Sequence, residues 1–459
     1  MIIPQFIAVV NTVASWVNPF AAKKYWQESE EQHNLLKHCG GMGPYVEGTG
    51  YGINRSDLPE SLTVDMVVVF SRHGERYPTV DLGKQLREVY DRLRATKVDE
   101  YEGPLAFVKD WEYFVEDQDL LEMETNMSRF SGLQDMRDFG VDVRNRYGNL
   151  YDLGEGTMPF FTSGSQRVID SAKAFAEGFF TGQEDKSRIV VLPERKRQGY
   201  NTLTTGRSCK PYHKKTNYPH PYIPKLMAEE AERLNKLSPG FHLTASDLET
   251  LAQYCAFELN AKGESDVCNA LSMETFIEHE YIRDAELYYT KAEHPYTFTL
   301  GSVYMNATLT LLNEDESNHG NQSLWFSFSH DTDILYFMNA LGVFDHQEKK
   351  LPIGQIDFSR FFRTSELIPM GARIVLERIS EKGSDEKYLR LLINDAVIPL
   401  KNCQDGPYFT CKLSTLSYQF YEKLGHEKSF AEKCRVKKKR PQYLSFYWDW
   451  VDGDYGTDL

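Results

Sequence analysis

The 459-residue chain contains no CxxC pair, no internal repeat and no long low-complexity tract. No run approaches the roughly 20 apolar residues that a membrane-spanning helix needs. These absences exclude zinc ribbons, thioredoxin-type redox motifs, solenoids and a membrane-spanning mature chain. Positive charge is also in short supply. Lys and Arg number 52 against 67 Asp and Glu, a formal net charge of −15 with a pI near 5.4. Such a surface repels nucleic acid and anionic lipid, which argues against a general phosphate-backbone binder. It repels small phosphorylated molecules too, unless cations are concentrated at one spot. Aromatics are plentiful, with 27 Tyr, 27 Phe and 6 Trp, and the 41% hydrophobic to 26% charged balance is that of a globular protein. The length favours two compact units, or one large core carrying insertions.

The cysteines are Cys39, Cys209, Cys255, Cys268, Cys403, Cys411 and Cys434. The intervals Cys255 to Cys268 and Cys403 to Cys411 would close short loops of the kind common in secreted proteins. The odd total leaves one thiol over, and seven reduced core cysteines in a cytosolic protein are the competing reading. Residues 1–15 read as a secretory signal peptide: an apolar stretch (Ile2, Ile3, Phe6, Ile7, Val9, Val10, Val13) ends at the small residues Ala14 and Ser15, although no basic residue precedes Lys23. A buried N-terminal helix is the alternative. Asn54, Asn126, Asn306 and Asn321 each open an N-x-[ST] sequon and are glycosylation candidates. The expected location is therefore secreted: periplasm, cell wall or medium.

Three places pair a strand-like apolar run with a polar loop and a helical pattern. Val64 to Phe70 is β-branched and nearly continuous, as in a strand covered on both faces; it ends at Ser71-Arg72-His73-Gly74-Glu75-Arg76-Tyr77-Pro78, with a helix from near Leu82. Met158 to Phe161 leads through Thr162-Ser163-Gly164-Ser165-Gln166-Arg167 into a helix whose one face carries Val168, Ala172, Phe175, Ala176 and Phe179. Leu324 to Phe328 leads through Ser329-His330-Asp331-Thr332-Asp333 into a helix through Ile334, Phe337, Met338 and Leu341. Ala372 to Leu376 and Tyr388 to Leu392 are further strand candidates. Recurring strand, loop and helix argue for an α/β sheet flanked by helices, with ligands beyond the carboxyl ends of the strands. The more polar stretches 84–151 and 210–293 read as inserted helical cap segments. That leaves 40–83, 152–209 and 294–459 for a discontinuous α/β domain.

Arg72, His73 and Arg76 fall within five residues at a strand end. Planar guanidinium groups grip phosphate oxygens with paired hydrogen bonds. A neutral imidazole beside them can attack phosphorus, splitting one displacement into two through a phosphohistidine, while the arginines offset the transition-state charge. The string Arg-His-Gly-x-Arg-x-Pro is rare by chance, whereas a surface basic loop holding one histidine is the bland alternative. His330 could hydrogen-bond phosphoryl oxygens, and Asp331 could protonate the leaving alkoxide and later activate water. Asp331 could instead merely cap its helix, or form with Asp333 a divalent-metal site. The metal reading is the weaker one, because arginines already supply the positive charge. Arg167, just after a strand-loop turn, is a candidate third clamp, and Glu75 a candidate orienting partner for a neighbouring arginine.

The segments Leu58–Ser61, Arg72–Thr79, Asp119–Thr125, Phe161–Arg167, Cys255–Glu258, Ser329–Leu335, Ile393–Val397 and Tyr447–Trp450 resemble the histidine acid phosphatases, in the branch of secreted yeast acid phosphatases and fungal phytases. The resemblance runs from about Gly40 almost to the C-terminus. It implies a phosphoglycerate-mutase-like α/β fold, with a mixed, mainly parallel sheet flanked by helices, an inserted mainly helical cap and the site between them. It maps His73 to the nucleophile, Arg72, Arg76, Arg167 and His330 to the phosphate pocket, and Asp331 to the proton donor, with no metal and no cofactor. It implies disulfides Cys255–Cys268, Cys403–Cys411 and Cys209–Cys434, leaving Cys39 unpaired. Many relatives carry a further bridge, but here the expected cysteine position is Leu62, and the partner region Arg378-Ile379-Ser380 has none. Lys433 to Arg440 holds six basic residues and reads as a solvated face, a nuclear signal being the remote alternative. The expected function is an acid phosphatase acting on small-molecule phosphate monoesters. A phytase is the alternative within the class, and a catalytically silent phosphate-binding protein the alternative outside it. No nucleic-acid partner and no membrane span are expected, and a homo-oligomer is left open.

Overall fold

Met66 to Arg72 are all buried, which makes the first strand, β1 (Leu62–Arg72), a central one. In this computed structural model, residues 34–56, 58–151, 156–213, 225–314, 322–453 and 455 are described; residues 1–15, expected to be a signal peptide, and Asn321 lie outside them. β2 (Met158–Ser163), β3 (Ser187–Leu192) and β4 (Leu324–Ser329) are parallel partners, and β5 (Arg373–Glu381), β6 (Lys387–Ile393), β7 (Ala396–Val397) and β8 (Cys411–Lys412) complete the sheet in antiparallel pairs. The order is β3-β2-β4-β1-β5-β6-β7, with β8 on β6. The parallel half follows from composition: β2 and β4 are buried at every position, so both faces must be covered by helices.

The longer helices are α1 (Val80–Ala95), α2 (Gly132–Tyr147), α3 (Gln166–Phe179), α4 (Lys225–Leu237), α5 (Ala245–Lys262), α6 (Met273–Leu287), α7 (Thr297–Asn313), α8 (Asp331–Ala340) and α9 (Leu413–Gly425). Strand periodicity sorts their contacts. Met66, Val68 and Phe70 of β1 face a core with α7 and α8, through Leu300, Ile334 and Phe337. Val67 and Val69 face the opposite core, with Phe139, Val143, Phe175 and Phe179 of α2 and α3. A further core, away from the sheet, joins α1, α4 and α5 through Leu86, Leu93, Trp111, Leu234, Leu251 and Tyr254. One boundary therefore needs correction. Within the stretch 84–151 that polarity marks as cap, α2 packs on the sheet, and its exposed polar face conceals the buried stripe Met136, Phe139, Val143 and Tyr147. Strand β3 was not expected from the sequence, since a six-residue edge strand with only two fully buried positions leaves a weak pattern.

Parallel pairing places the strand ends together. Arg72 lies opposite Ser329, Thr162 opposite Phe328 and Ser163 opposite Leu192, so β1, β4, β2 and β3 end at one sheet edge. Cys209 is bonded to Cys434, Cys255 to Cys268 and Cys403 to Cys411, while Cys39 is free and buried. Leu62 packs on Ile379 and Tyr388. Asn54, Asn126 and Asn306 are exposed. Among the described residues, no helix is long and apolar enough to cross a membrane.

Helices α2 and α3 touch backbone to backbone. A Cβ on Gly178 would lie 1.9 Å from the Arg137 carbonyl oxygen, and one on Gly140 would lie 2.1 Å from that of Phe175. Gly178→Ala is expected to destabilise by about 1–3 kcal/mol, as overpacking does, measured by denaturant unfolding. Gly425→Ala, which meets nothing within 4 Å, is the neutral control.

Candidate active site

The loop leaving β1 carries two buried groups that would be costly without partners, Arg72 and His73, each 2% exposed. Arg72 Nη1 donates to the carbonyls of Gly41 (2.7 Å) and Ile368 (2.5 Å), and Nη2 to Asp331 Oδ2 (2.9 Å). Gly41 turns its carbonyl inward at φ +76°, a left-handed conformation open to glycine. His73 Nδ1 donates to the Gly74 carbonyl at 2.8 Å, which selects the tautomer with a free lone pair on Nε2. Burial, then the charges of Arg72, Arg76, Arg167 and His330, push the His73 pKa well below 6.5, so the ring stays neutral. The loop is pinned from behind: Gly74 N–H donates to Ser171 Oγ (3.0 Å), and Ser171 Oγ–H donates to the buried carboxyl of Glu124.

Arg76 lies 5.5 Å over the Phe257 ring and donates from Nη1 to the Tyr77 carbonyl. Burial, then Arg167 and Arg72, lower its pKa to about 9, which leaves it charged at neutral and acid pH. Arg167, at the start of α3, places Nη2 3.5 Å from His330 Nδ1. His330, at the entry of α8, stands edge-to-face with His73, ring centroids 5.8 Å apart. The Nε groups of Arg72, Arg76 and Arg167 are buried and have no protein partner among the described residues. A cavity of about 160 Å³ opens onto Arg72, Arg76 and Asp331, walled by Phe257 and Met370. The structure thus gathers His73, Arg72, Arg76, Arg167, His330 and Asp331 from three loops at one edge. Neutral imidazole, unpaired guanidinium donors and a carboxylate are together suited to transferring a phosphoryl group.

Other site residues escaped the sequence reading. Glu194, two residues past β3, accepts from His330 Nε2 at 2.8 Å. Its signal was a carboxylate after an apolar strand, masked because the strand itself is weak. Arg283 of α6 lines the same cavity, and nothing local marks it. Glu75 does not pair with an arginine: Oε1 accepts the Tyr45 backbone N–H at 2.6 Å and the carboxyl faces Asp135. Burial, then Asp135, raises its pKa well above the usual carboxylate range, so it is no counter-ion. The two acids of the metal reading have separate partners, Asp331 on Arg72 and Asp333 on Ser329 Oγ at 2.9 Å.

Burial alone would raise Glu194, but hydrogen bonding and charge from His330 bring its pKa from 4.5 down to about 2. A depressed carboxyl stabilises the fold above its unfolded pKa and loses that contribution as pH falls toward the folded value. The stability advantage of wild type over Glu194→Gln is therefore expected to be full above about pH 4.5 and to shrink toward pH 2, read from thermal unfolding across that range.

Comparison with known proteins gives a consistent picture. The chain is 42% identical over 436 residues to an acid phosphatase of Komagataella pastoris, covering 93% of this chain and 92% of that protein. It is 36% identical over 442 residues to a phytase of Candida albicans, covering 94% of each. Among solved structures, the phytase from D. castellii superimposes with a TM-score of 0.87 at 35% identity, covering 94% of this chain and 93% of that one. Residues 63–394 match the histidine phosphatase superfamily (branch 2), and the chain belongs to that family.

Proposed function

We propose that this protein is an acid phosphatase that hydrolyses phosphate monoesters through a phosphohistidine on His73. The observation that carries this reading is the set of buried Nε donors of Arg72, Arg76 and Arg167 around a neutral imidazole whose Nε2 is free. Buried unpaired donors are costly, and a phosphoryl group at His73 would satisfy them together. The relatives named as acid phosphatases support the same activity.

Asp331 starts as a carboxylate. Burial opposes this, but Arg72, His330 and Arg76 outweigh it and hold the pKa at about 2. A bound phosphoryl group takes up Arg72 and sets negative charge beside Asp331, which raises its proton affinity. An ester monoanion, abundant in acid, brings the proton that Asp331 accepts. His73 Nε2 then attacks phosphorus, the P–O ester bond breaks, and Asp331 passes its proton to the departing oxygen. In the second step Asp331 takes a proton from water, the oxygen attacks phosphorus, the N–P bond breaks and inorganic phosphate leaves. His330, held by Glu194, and the three arginines grip the non-bridging oxygens throughout. The arginines supply the positive charge, so this scheme calls for no metal.

The site lies where a sheet unit meets a helical cap. We assign 40–83, 152–209 and 294–459 with α2 to the first unit, and the remainder of 84–151 and 210–293 to the second. Secretion is supported by the three disulfides and the exposed sequon asparagines. A phytase reading draws on Arg283, a further cation in the cavity wall for a second phosphoryl group, and on the phytases among the relatives. Relative turnover of phytate and simple monoesters separates the two.

His73→Ala is expected to abolish turnover, and rapid acid-free quench of wild type to trap an acid-labile phosphoenzyme. Asp331→Asn is expected to slow poor alcohol leaving groups far more than p-nitrophenolate, which leaves without a proton; equal slowing would remove Asp331 as donor. Activity is expected to survive EDTA.

A further inference from the structure

The basic run near the C-terminus is not an isolated solvated face. Its turn docks on a second basic segment more than two hundred residues away in sequence. The Tyr200 N–H donates to the Pro441 carbonyl at 3.2 Å, Asn201 Oδ1 accepts the N–H groups of Ser445 and Phe446, and Cys209 is bonded to Cys434. The approach is close enough that a Cβ on Gly199 would lie 2.3 Å from the Pro441 oxygen. Arg195, Lys196 and Arg197 are thereby joined to Arg435, Lys437, Lys438 and Lys439, and all seven are exposed. Among the described residues, none of the seven forms an ion pair, in contrast to the neighbouring Lys433, which holds Glu427 at 2.7 Å. On a chain of formal charge −15, an unneutralised cluster of like charge opposes folding by self-repulsion. An anionic ligand would relieve it.

The cluster is tied to the phosphate pocket through Glu194. Arg195 directly follows Glu194, which holds His330, and the exposed Arg207 stands 3.8 Å from the other oxygen of Glu194. We infer that this surface binds a linear polyphosphoryl chain, with the end of the chain directed toward His330 and Arg167. The choice of this polyanion rests on the pocket accepting a terminal phosphoryl group, as read above; the internal phosphodiesters of a nucleic acid present none. Below the pI of about 5.4 the long-range repulsion from the rest of the chain is gone, so binding strengthens in acid.

The test is calorimetric binding of medium-chain inorganic polyphosphate to the His73→Ala protein, which does not consume it, at pH 5 over a series of salt concentrations. Adding Lys437→Gln, Lys438→Gln and Lys439→Gln is expected to weaken binding at least tenfold. The slope of log K against log salt should fall by about 2, at ~0.7 per lost phosphate contact. Arg195→Gln, Lys196→Gln and Arg197→Gln should act similarly. In the His73 protein, both sets should leave p-nitrophenyl phosphate turnover unchanged. Unaltered polyphosphate affinity in both sets would overturn the proposal, as would equal binding of single-stranded DNA of matched charge. Absence of p-nitrophenyl phosphate turnover in the unmutated protein would instead strike the catalytic reading and leave the surface to be judged by binding alone.

Discussion

Three guanidinium groups held around a neutral imidazole are the constraint on which the rest of this structure depends. Like charges in a poorly solvated pocket repel, and each unmet donor adds a desolvation cost. The fold meets that cost by over-determining Arg72. Two backbone carbonyls, Gly41 and Ile368, and the Asp331 carboxylate hold it from sequence positions that only tertiary contact unites. The same crowding keeps His73 unprotonated, so the charge that attracts a phosphoryl group also preserves the nucleophile.

Acids near the pocket are arranged so as not to cancel this charge. Burial raises Glu124 to about 8 despite its bond from Ser171, and burial, then Asp135, raises Glu75 well above its usual range. Both therefore hold protons in acid and act as neutral hydrogen-bonding groups behind the loop. The acids whose pKa is held low have specific partners: Glu194 on His330 and Asp331 on Arg72. The result is a site with surplus positive charge inside a protein whose net charge is negative. The cavity that concentrates it is walled by Phe257 of α5, Arg283 of α6, Arg72 of β1 and Met370, residues far apart along the chain.

Much of this was legible in order along the chain. The apolar runs at Val64–Phe70, Met158–Phe161 and Leu324–Phe328 correspond to β1, β2 and β4, since fully buried parallel strands leave a continuous signal. Edge strand β3 left a weak one, and α2 read as cap because its outer face is polar. The Arg-His-Gly-x-Arg-x-Pro string named a chemistry by itself, because its residue types at that spacing have few other uses. Glu75 lies inside the same string, yet its partner is a backbone amide across the loop, which no spacing rule conveys.

The sequence by itself determined the periodicities of strands and helices and the chemical types gathered at each strand end, because both depend on neighbours within a few residues. The tertiary structure decided which of those ends meet, the protonation of His73, Glu124 and Asp331, the partner of His330, and the merging of two basic segments across a disulfide. Those properties follow from distance and burial in space, and Coulomb interaction and desolvation are blind to separation along the chain.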